Sequence, residues 1–115
     1  MPTKGEHVFG LVVRFDLKEG SKAEFDALTR ETVASIRTEE PGTLIYSCHA
    51  VEGEANARVF YELYRDRAAF EEHERQEHVR RFLQERKRYL AGAPRVESLS
   101  LGVSKGVPEP QPQRP

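Results

Sequence analysis

Residues 58–66 read RVFYELYRD, a stretch that is dense in β-branched and aromatic side chains. Such residues favour a β-strand because they pack well on a pleated surface that is at least half buried. Successive side chains of a strand point to opposite sides, and here both sides are largely apolar. Glu62 lies in the middle of the stretch. The pattern therefore predicts a strand that is covered on both sides and carries a carboxylate at its centre.

The residues on either side of this strand predict further strands and helices. Ser21 and Glu24 form the S-x-x-E pattern of a capping box, which marks the start of a helix. Asp66 is placed to cap the helix that follows the quoted stretch. In chain order, the sequence predicts a strand at 7–17, a helix at 22–38, a strand at 43–51, a loop at 52–57, the strand at 58–66, helices at 67–74 and 76–90, and a strand at 95–103.

The order of these elements predicts the fold class. It is β-α-β-β-α-β with the second helical segment broken in two, which is the plan of an α+β, ferredoxin-like fold. In that fold a four-stranded antiparallel sheet carries its helices on one face. We expect one such domain at 7–103, a frayed N-terminus at 1–6 and a disordered, proline-rich tail at 104–115.

The composition excludes several classes of partner and location. The 18 basic and 19 acidic side chains leave a net charge of -1, which argues against a nucleic-acid partner. The chain has one cysteine, so it cannot form an intrachain disulfide framework. No apolar run is long enough to span a membrane, and the first residues lack the apolar core of a signal peptide. We therefore expect a cytoplasmic protein with no membrane partner.

The two-sided apolar character of the strands has a consequence for assembly. Helices cover one face of a ferredoxin-like sheet, so the opposite face should be polar if it meets water. In both the first and the third predicted strand it is apolar instead. Monomers rarely expose such a patch. The sequence therefore predicts a homodimer that covers the open face, together with a cavity beside the sheet for an apolar ligand.

Three residues are candidates for acid-base chemistry. Glu62 lies among aromatic side chains, where loss of hydration raises the pKa of a carboxyl group. It either acts in proton transfer or has a structural role, in which it bonds and orients a tyrosine, histidine or arginine. His73 and His78 flank the predicted helix break, and a neutral imidazole accepts protons near neutral pH. The break could turn both rings toward one cavity.

The sequence offers no basis for a metal or an organic cofactor. The histidine spacing is not the i, i+4 pattern of a zinc-binding helix, and no cluster of Cys or Asp completes a site. A glycine-rich phosphate loop and a dinucleotide fingerprint are both missing. We therefore expect no metal, flavin or nicotinamide.

Two segments together resemble a known family. They read EEPGTLIYSCH and RVFYELYRDRAAFEEHERQEHVRRFL. Their ordered features are an E-P-G turn, a strand with a tyrosine, a strand with a glutamate followed by an aromatic residue, an alanine-rich helix start and two histidines. In these features residues 7–103 resemble the antibiotic biosynthesis monooxygenase (ABM) domain. The matching positions are Glu40-Pro41-Gly42, Tyr46, Glu62, Tyr64, Ala68, Ala69, His73 and His78.

The resemblance implies a dimeric α+β barrel made of two ferredoxin-like units, with a pocket between sheet and helices in each subunit. Members of the family include quinol and polyketide monooxygenases that use no flavin, metal or haem, and others that degrade haem, isomerise signalling molecules or have no known activity. Members of the family that degrade haem use an Asn, a Trp and a His together. This chain has no tryptophan, Tyr64 stands where the family commonly has one, and Asn56 falls in the predicted loop. These departures argue against haem degradation.

The leading functional hypothesis is oxygenation of an electron-rich phenol, hydroquinone or polyketide-like aromatic by dioxygen. His73 or His78 would remove the substrate proton, and Glu62 would orient and stabilise the resulting imidazolium. Tyr46 and Tyr64 would hold the substrate oxygen, while Phe70 and Phe82 would form the wall of the site. Two alternatives stay open, a non-catalytic dimer that binds a small aromatic molecule and an isomerase of the same superfamily.

Overall fold

The computed structural model describes residues 7–107 and confirms the predicted order of elements. The elements are β1 (Phe9–Asp16), α1 (Lys22–Glu39), β2 (Thr43–Val51), β3 (Glu54–Tyr64), α2 (Arg67–Arg75), α3 (Glu77–Glu85), a short 3₁₀ helix (Arg86–Arg88) and β4 (Arg95–Ser100). The strands form one antiparallel sheet in the order β2-β3-β1-β4. This is the ferredoxin-like topology, and the fold class is α+β as predicted. Within the described residues, no helix is both long and apolar enough to cross a membrane.

The hairpin between β2 and β3 corrects one sequence prediction. Only Glu52 and Gly53 separate the two strands, whereas the sequence predicted a loop over 52–57. Gly53 has a φ of +81°, a conformation that suits glycine in a tight turn because it has no Cβ. Asn56 therefore lies within β3 and not in a loop. The polar composition of 54–57 concealed the strand because its first two residues are exposed.

The ends of the helices follow their sequence signals only in part. Asp66 caps α2 as predicted, and its carboxylate accepts a hydrogen bond from the backbone N–H of Ala69 at 2.8 Å. Ser21 precedes α1, but its side chain makes no capping hydrogen bond, so the predicted capping box is not formed. The predicted helix at 76–90 ends earlier: α3 stops at Glu85 and continues only as the 3₁₀ turn.

The C-terminal strand is also shorter than predicted. It ends at Ser100, and residues 101–107 form no helix or strand. The remainder of the tail predicted at 104–115, and the N-terminus predicted at 1–6, lie outside the described residues.

The core lies between the helices and one side of the sheet. The odd-numbered residues of β1 and the even-numbered residues at the end of β3 point toward the helices. Burying each large apolar side chain contributes about 1.5–3 kcal/mol to stability, before conformational entropy is counted. The largest contribution comes from a cluster of four rings whose centroids lie 4.7–6.4 Å apart, namely Phe15, Phe25, Phe60 and Phe82.

The opposite side of the sheet carries no helix among residues 7–107 and is still largely apolar. Its partly exposed side chains include Val12, Ile45, Val59, Tyr61 and Leu99. Leu63 on this side is buried because it lies over Gly10: a Cβ added at Gly10 would be 3.0 Å from the Leu63 side chain. The sheet therefore carries apolar side chains on both of its faces, as the sequence predicted.

Candidate active site

The E-P-G turn after α1 positions the first element of the site. Gly42 packs so closely on α2 that a Cβ in its place would lie 2.7 Å from the Cβ of Ala69. Real Cβ contacts are not that short, so this approach requires glycine in the turn and a small residue in the helix. The contact fixes the start of α2 against the turn that carries Glu40.

This packing brings His73 onto Glu40. Ala69 and His73 are four residues apart on α2 and thus lie on the same face of the helix, one turn apart. The ring Nδ1 of His73 lies 2.6 Å from Oε1 of Glu40. Only 5% of the His73 side chain and 3% of the Glu40 side chain remain exposed, so this is a buried pair.

The helix break brings His78 to the same carboxylate. Gln76, between α2 and α3, has an extended backbone (φ -67°, ψ 140°), which redirects the chain before His78. Nε2 of His78 lies 2.5 Å from Oε2 of Glu40, and the Thr43 hydroxyl donates to Oε1 at 2.7 Å. One buried carboxylate therefore holds both histidines. The sequence predicted that the break could turn them toward one cavity, and they meet at Glu40 instead.

The bonds to Glu40 determine its charge and the state of His73. Burial raises the pKa of the Glu40 carboxyl, but the hydrogen bonds from His73, Thr43 and His78 lower it by more, so the pKa lies below its ordinary value. Glu40 is thus a carboxylate at neutral pH and can only accept hydrogen bonds. Neutral His73 must then carry its proton on Nδ1, which leaves Nε2 as a proton acceptor. No group among residues 7–107 hydrogen-bonds to that Nε2.

Glu62 has a different partner from the one the hypothesis gave it. Its Oε1 accepts a hydrogen bond from the Tyr64 hydroxyl at 2.6 Å, and neither histidine bonds to it. Burial raises the pKa of Glu62, and the Tyr64 bond and the charge of His73 oppose that shift. Burial, followed by the charge of Glu62, raises the pKa of Tyr64, so its hydroxyl stays protonated. The orienting role predicted for Glu62 toward histidine is therefore filled by Glu40.

A cavity of about 320 Å³ lies between the sheet and the helices α2 and α3. Its floor is the helix-facing side of β1, which is apolar throughout. Polar and ionisable side chains, among them Tyr46, Glu62, His73 and Arg86, lie among its apolar lining residues and could orient a small organic ligand. The lining residues are Phe9, Leu11, Val13, Phe15, Tyr46, Glu62, Arg67, Phe70, His73, Glu74, Val79, Phe82, Leu83, Arg86, Val96 and Ser98.

The structure brings five of the seven predicted site residues to this cavity. They are Tyr46, Glu62, Phe70, His73 and Phe82. Tyr64 does not line it, because its side chain is fully buried behind Phe70 and His73. His78 lies on the far side of Glu40, away from the cavity. Of the two histidines, only His73 can contact a ligand there.

Sequence reasoning missed the roles of Glu40 and Arg86. From the sequence, Glu40 was named only as part of the E-P-G turn. That turn is one of the features shared with the family, so the resemblance could have indicated a role for its carboxylate. Arg86 was assigned to the apolar stripe of a long helix, and nothing in its local pattern distinguishes it from its exposed neighbours Lys87 and Arg88. Both omissions concern contacts between residues that are distant in the sequence.

A second cavity of similar volume lies on the other side of His73, between the E-P-G turn and α2. Apart from His73 it has no aromatic side chain among its lining residues. It is bordered by charged groups such as Glu39, Arg65 and Arg75. It therefore lacks the flat, apolar walls that an aromatic ligand needs, and we assign the candidate site to the cavity above β1.

The candidate site shows no metal centre. Among residues 7–107, no group of three or more His, Cys, Asp or Glu side chains is arranged to hold a metal ion. The two imidazole bonds to Glu40 instead resemble the carboxylate–histidine pairs that orient a catalytic base.

Comparisons with known proteins agree with the fold. A candidate antibiotic biosynthesis monooxygenase from Caulobacter crescentus superposes with a TM-score of 0.82 at 23% identity, over 87% of this chain and 94% of that chain. PA3566 from Pseudomonas aeruginosa gives 0.76 at 25% identity, over 84% and 96%. Rv0793 from Mycobacterium tuberculosis gives 0.76 at 20% identity, over 86% and 98%. Among curated proteins, no match to this chain was found.

The family assignment comes from the sequence model of the antibiotic biosynthesis monooxygenases. That model matches residues 8–85, which run from the start of the sheet through both histidines to the end of α3. The match spans more than half of the chain and contains the Glu40 turn, β3 and the cavity-lining helices. The chain therefore belongs to the antibiotic biosynthesis monooxygenase family.

Proposed function

We propose that the protein is a monooxygenase that uses dioxygen to oxidise an electron-rich phenol or hydroquinone without flavin, haem or metal. One observation carries this proposal. His73 borders an aromatic-walled cavity, its Nδ1 is bound to a buried carboxylate, and its Nε2 has no partner among residues 7–107. In this arrangement Glu40 orients the imidazole, and its other ring nitrogen can accept a substrate proton as a general base.

The chemistry needs only a base and a shaped, largely dry cavity. Nε2 of His73 takes a phenolic proton, and the phenolate passes one electron to dioxygen. The resulting substrate radical and superoxide combine to form a C–O bond, and loss of water from the hydroperoxide leaves a carbonyl. Overall, one hydroquinone and one O₂ give one hydroxyquinone and one water. The four electrons that dioxygen takes up all come from the substrate, so no external reductant is required.

Three further polar residues have a role in this scheme. Glu40 is a positioning residue, which fixes the His73 tautomer and stabilises the imidazolium that forms. Tyr46 donates a hydrogen bond to the substrate oxygen; burial and the charge of Glu62 raise the pKa of Tyr46, so it keeps its proton. The imidazolium of His73 returns its proton to the hydroperoxide, and Glu62 lines the cavity beside it. Phe70 and Phe82 form walls that hold the ring.

Oxygen uptake with a panel of hydroquinones tests this proposal. We expect at least one member of the panel to consume one O₂ per molecule and to release no hydrogen peroxide, as checked by adding catalase. Turnover that continues without oxygen would instead indicate an isomerase. A ligand-dependent rise in Tm without any turnover would indicate a binding protein. Uptake no faster than in buffer across the whole panel would contradict the proposal.

We also propose that the protein is a homodimer. The support is the open face of the sheet, where several large apolar side chains stay partly exposed. A second copy of the chain covers such a face with the same patch on both sides. Light scattering at micromolar concentration should give twice the chain mass of 13.2 kDa. Tyr61→Lys, at the centre of the face, should give a monomer, whereas Lys22→Glu on exposed α1 should not.

The sequence predicted a cytoplasmic location, which stays a proposal here. We keep the cytoplasm as the expected compartment, and cell fractionation would test it.

A further inference from the structure

Arg86 is a cationic side chain in the cavity that the proposed mechanism does not use. It begins the 3₁₀ turn after α3 and is half buried. Its guanidinium carbon lies 5.3 Å from the ring centroid of Phe15 and 5.8 Å from that of Phe82. The two rings support the flat guanidinium from the apolar side. Arg86 is thus held at the cavity wall by packing.

Within residues 7–107, Arg86 has no protein partner for its charge. No carboxylate oxygen lies within 4 Å of its guanidinium, and its five N–H donors make no hydrogen bond to the described chain. Arg58 provides the contrast, since its Nε and Nη2 donate hydrogen bonds to the two carboxylate oxygens of Asp26, at 2.9 and 2.8 Å. Both carboxylate oxygens of Asp26 thus pair with Arg58, whereas Arg86 has no such partner within residues 7–107.

Glu62 lies in the same cavity but does not neutralise Arg86. Its hydrogen bond is to the Tyr64 hydroxyl, and among the described residues it forms no ion pair with Arg86. Burial lowers the pKa of Arg86, while the charges of Tyr46 and Glu62 oppose that shift without providing a hydrogen bond. An anion from outside the chain would relieve that cost of burial.

The shape of the cavity shows where such an anion would lie. The floor of the cavity runs along β1 from Phe9 to Phe15. The guanidinium carbon of Arg67 lies 4.1 Å from the ring centroid of Phe9, and Arg86 lies next to Phe15 at the other end. Six residues of strand at about 3.3 Å each make the length of this floor about 20 Å. Glu62 and Tyr46 pair with the middle of that strand, at Leu11. Arg86 lies at the Phe15 end of the cavity, close enough to Tyr46 and Glu62 for their charges to act on it.

We propose that Arg86 binds a carboxylate carried by the aromatic ligand, so that the preferred substrates are phenolic or hydroquinone acids and not neutral phenols. A planar, two-pronged guanidinium matches a carboxylate in bidentate geometry. The cavity is long enough to place the ring over the middle of β1 while the acid group reaches Arg86. The identity of the substrate class rests on the proposed function, whereas the binding preference can be measured without it.

Equilibrium binding under argon tests this proposal with a matched pair of probes. Hydroquinone and 2,5-dihydroxybenzoate differ only in the carboxylate. We expect the unmodified protein to bind the acid at least about tenfold more tightly than the neutral probe, as one charge-assisted bidentate pair can provide. Arg86→Met keeps the aliphatic stem on Phe15 and Phe82 but removes the charge, and should abolish the preference. Arg86→Lys should keep only part of it.

Arg88→Met is the control, because Arg88 belongs to the same 3₁₀ turn but is exposed and does not line the cavity. It should bind both probes as the unmodified protein does. Equal binding of the two probes, or a preference that survives in Arg86→Met, would overturn the proposal. Tight binding of the acid in argon followed by no oxygen uptake in air would contradict the proposed function and leave the role of Arg86 intact.

Discussion

His73→Ala should lower kcat/KM for oxygen uptake by about 10²- to 10⁴-fold, the usual contribution of a positioned general base. His73 is the histidine that borders the aromatic cavity and keeps a free ring nitrogen there. The loss should fall mainly on kcat, since the apolar walls that bind the ring remain. Steady-state oxygen consumption with the best hydroquinone of the panel would measure it.

Two further measurements separate catalysis from folding at this position. His73→Gln can still donate a hydrogen bond toward Glu40 but has no basic ring nitrogen, so it should fold and stay inactive. Imidazole in the buffer should restore part of the activity of His73→Ala, because the deleted ring leaves a space beside the cavity. His49→Ala is the matched control, since that ring is exposed on β2 and bonds only to Ser47. Full activity in a correctly folded His73→Gln would exclude His73 as the base.

Glu40→Ala should lower the free energy of unfolding by several kcal/mol, at about 1–3 kcal/mol for each buried donor that loses its acceptor. The change leaves His73, His78 and the Thr43 hydroxyl without their shared acceptor. It also removes the bond that ties the end of α1 to both α2 and α3. Urea denaturation followed by circular dichroism would measure the loss, and Glu39→Gln, at an exposed neighbouring position, should change it little.

The same carboxylate should make stability depend on pH in a defined direction. The pKa of Glu40 in the folded protein lies below its ordinary value of 4.5. The ionised group therefore stabilises the fold above about pH 4.5, and that contribution disappears as the pH falls through the lowered pKa. The difference in stability between the unmodified protein and Glu40→Ala should shrink as the pH falls below this value. A difference that stayed constant down to pH 3 would contradict the assignment.

Glu40→Gln distinguishes the structural role of Glu40 from its role toward His73. The amide retains the shape of the side chain and one acceptor oxygen, so the loss of stability should be smaller than in Glu40→Ala. An amide cannot neutralise an imidazolium, so kcat should still fall while KM changes little. A purely structural Glu40 would leave kcat of the folded Gln variant unchanged.

Local patterns in the sequence were sufficient for most of the fold. Alternation in β1 and β3, helical spacing in α1 and turn residues at 41–42 each depend on neighbours a few positions apart, so they can be read directly. The sequence prediction misplaced the hairpin at Glu52-Gly53 because it, too, depended on local polarity. The first residues of β3 extend past the core, where polarity no longer distinguishes a strand from a loop.

Candidate site residues could be named from the sequence, but their pairings could not. Glu62 was named from its place in an apolar strand, His73 from the helix break and Tyr46 with the family resemblance, and all three line the cavity. The pairing of Glu62 with a histidine was wrong, since its partner is Tyr64, two residues along the same side of β3. The sequence left a tyrosine, a histidine or an arginine open as the structural partner of Glu62, and in the folded chain the partner is a tyrosine.

The sequence by itself determined the order of elements, the apolar character of both sheet faces and the residues able to carry acid-base chemistry, because side-chain period and residue type are local properties. Only the tertiary structure decided that Glu40 binds His73 and His78, which lie 33 and 38 residues further along the chain. It also decided that Tyr64 is sealed in the core and that Arg86 has no partner within the described chain. These outcomes depend on how closely one element packs on another, as at Gly42 and Ala69, and no pattern along the chain encodes that distance.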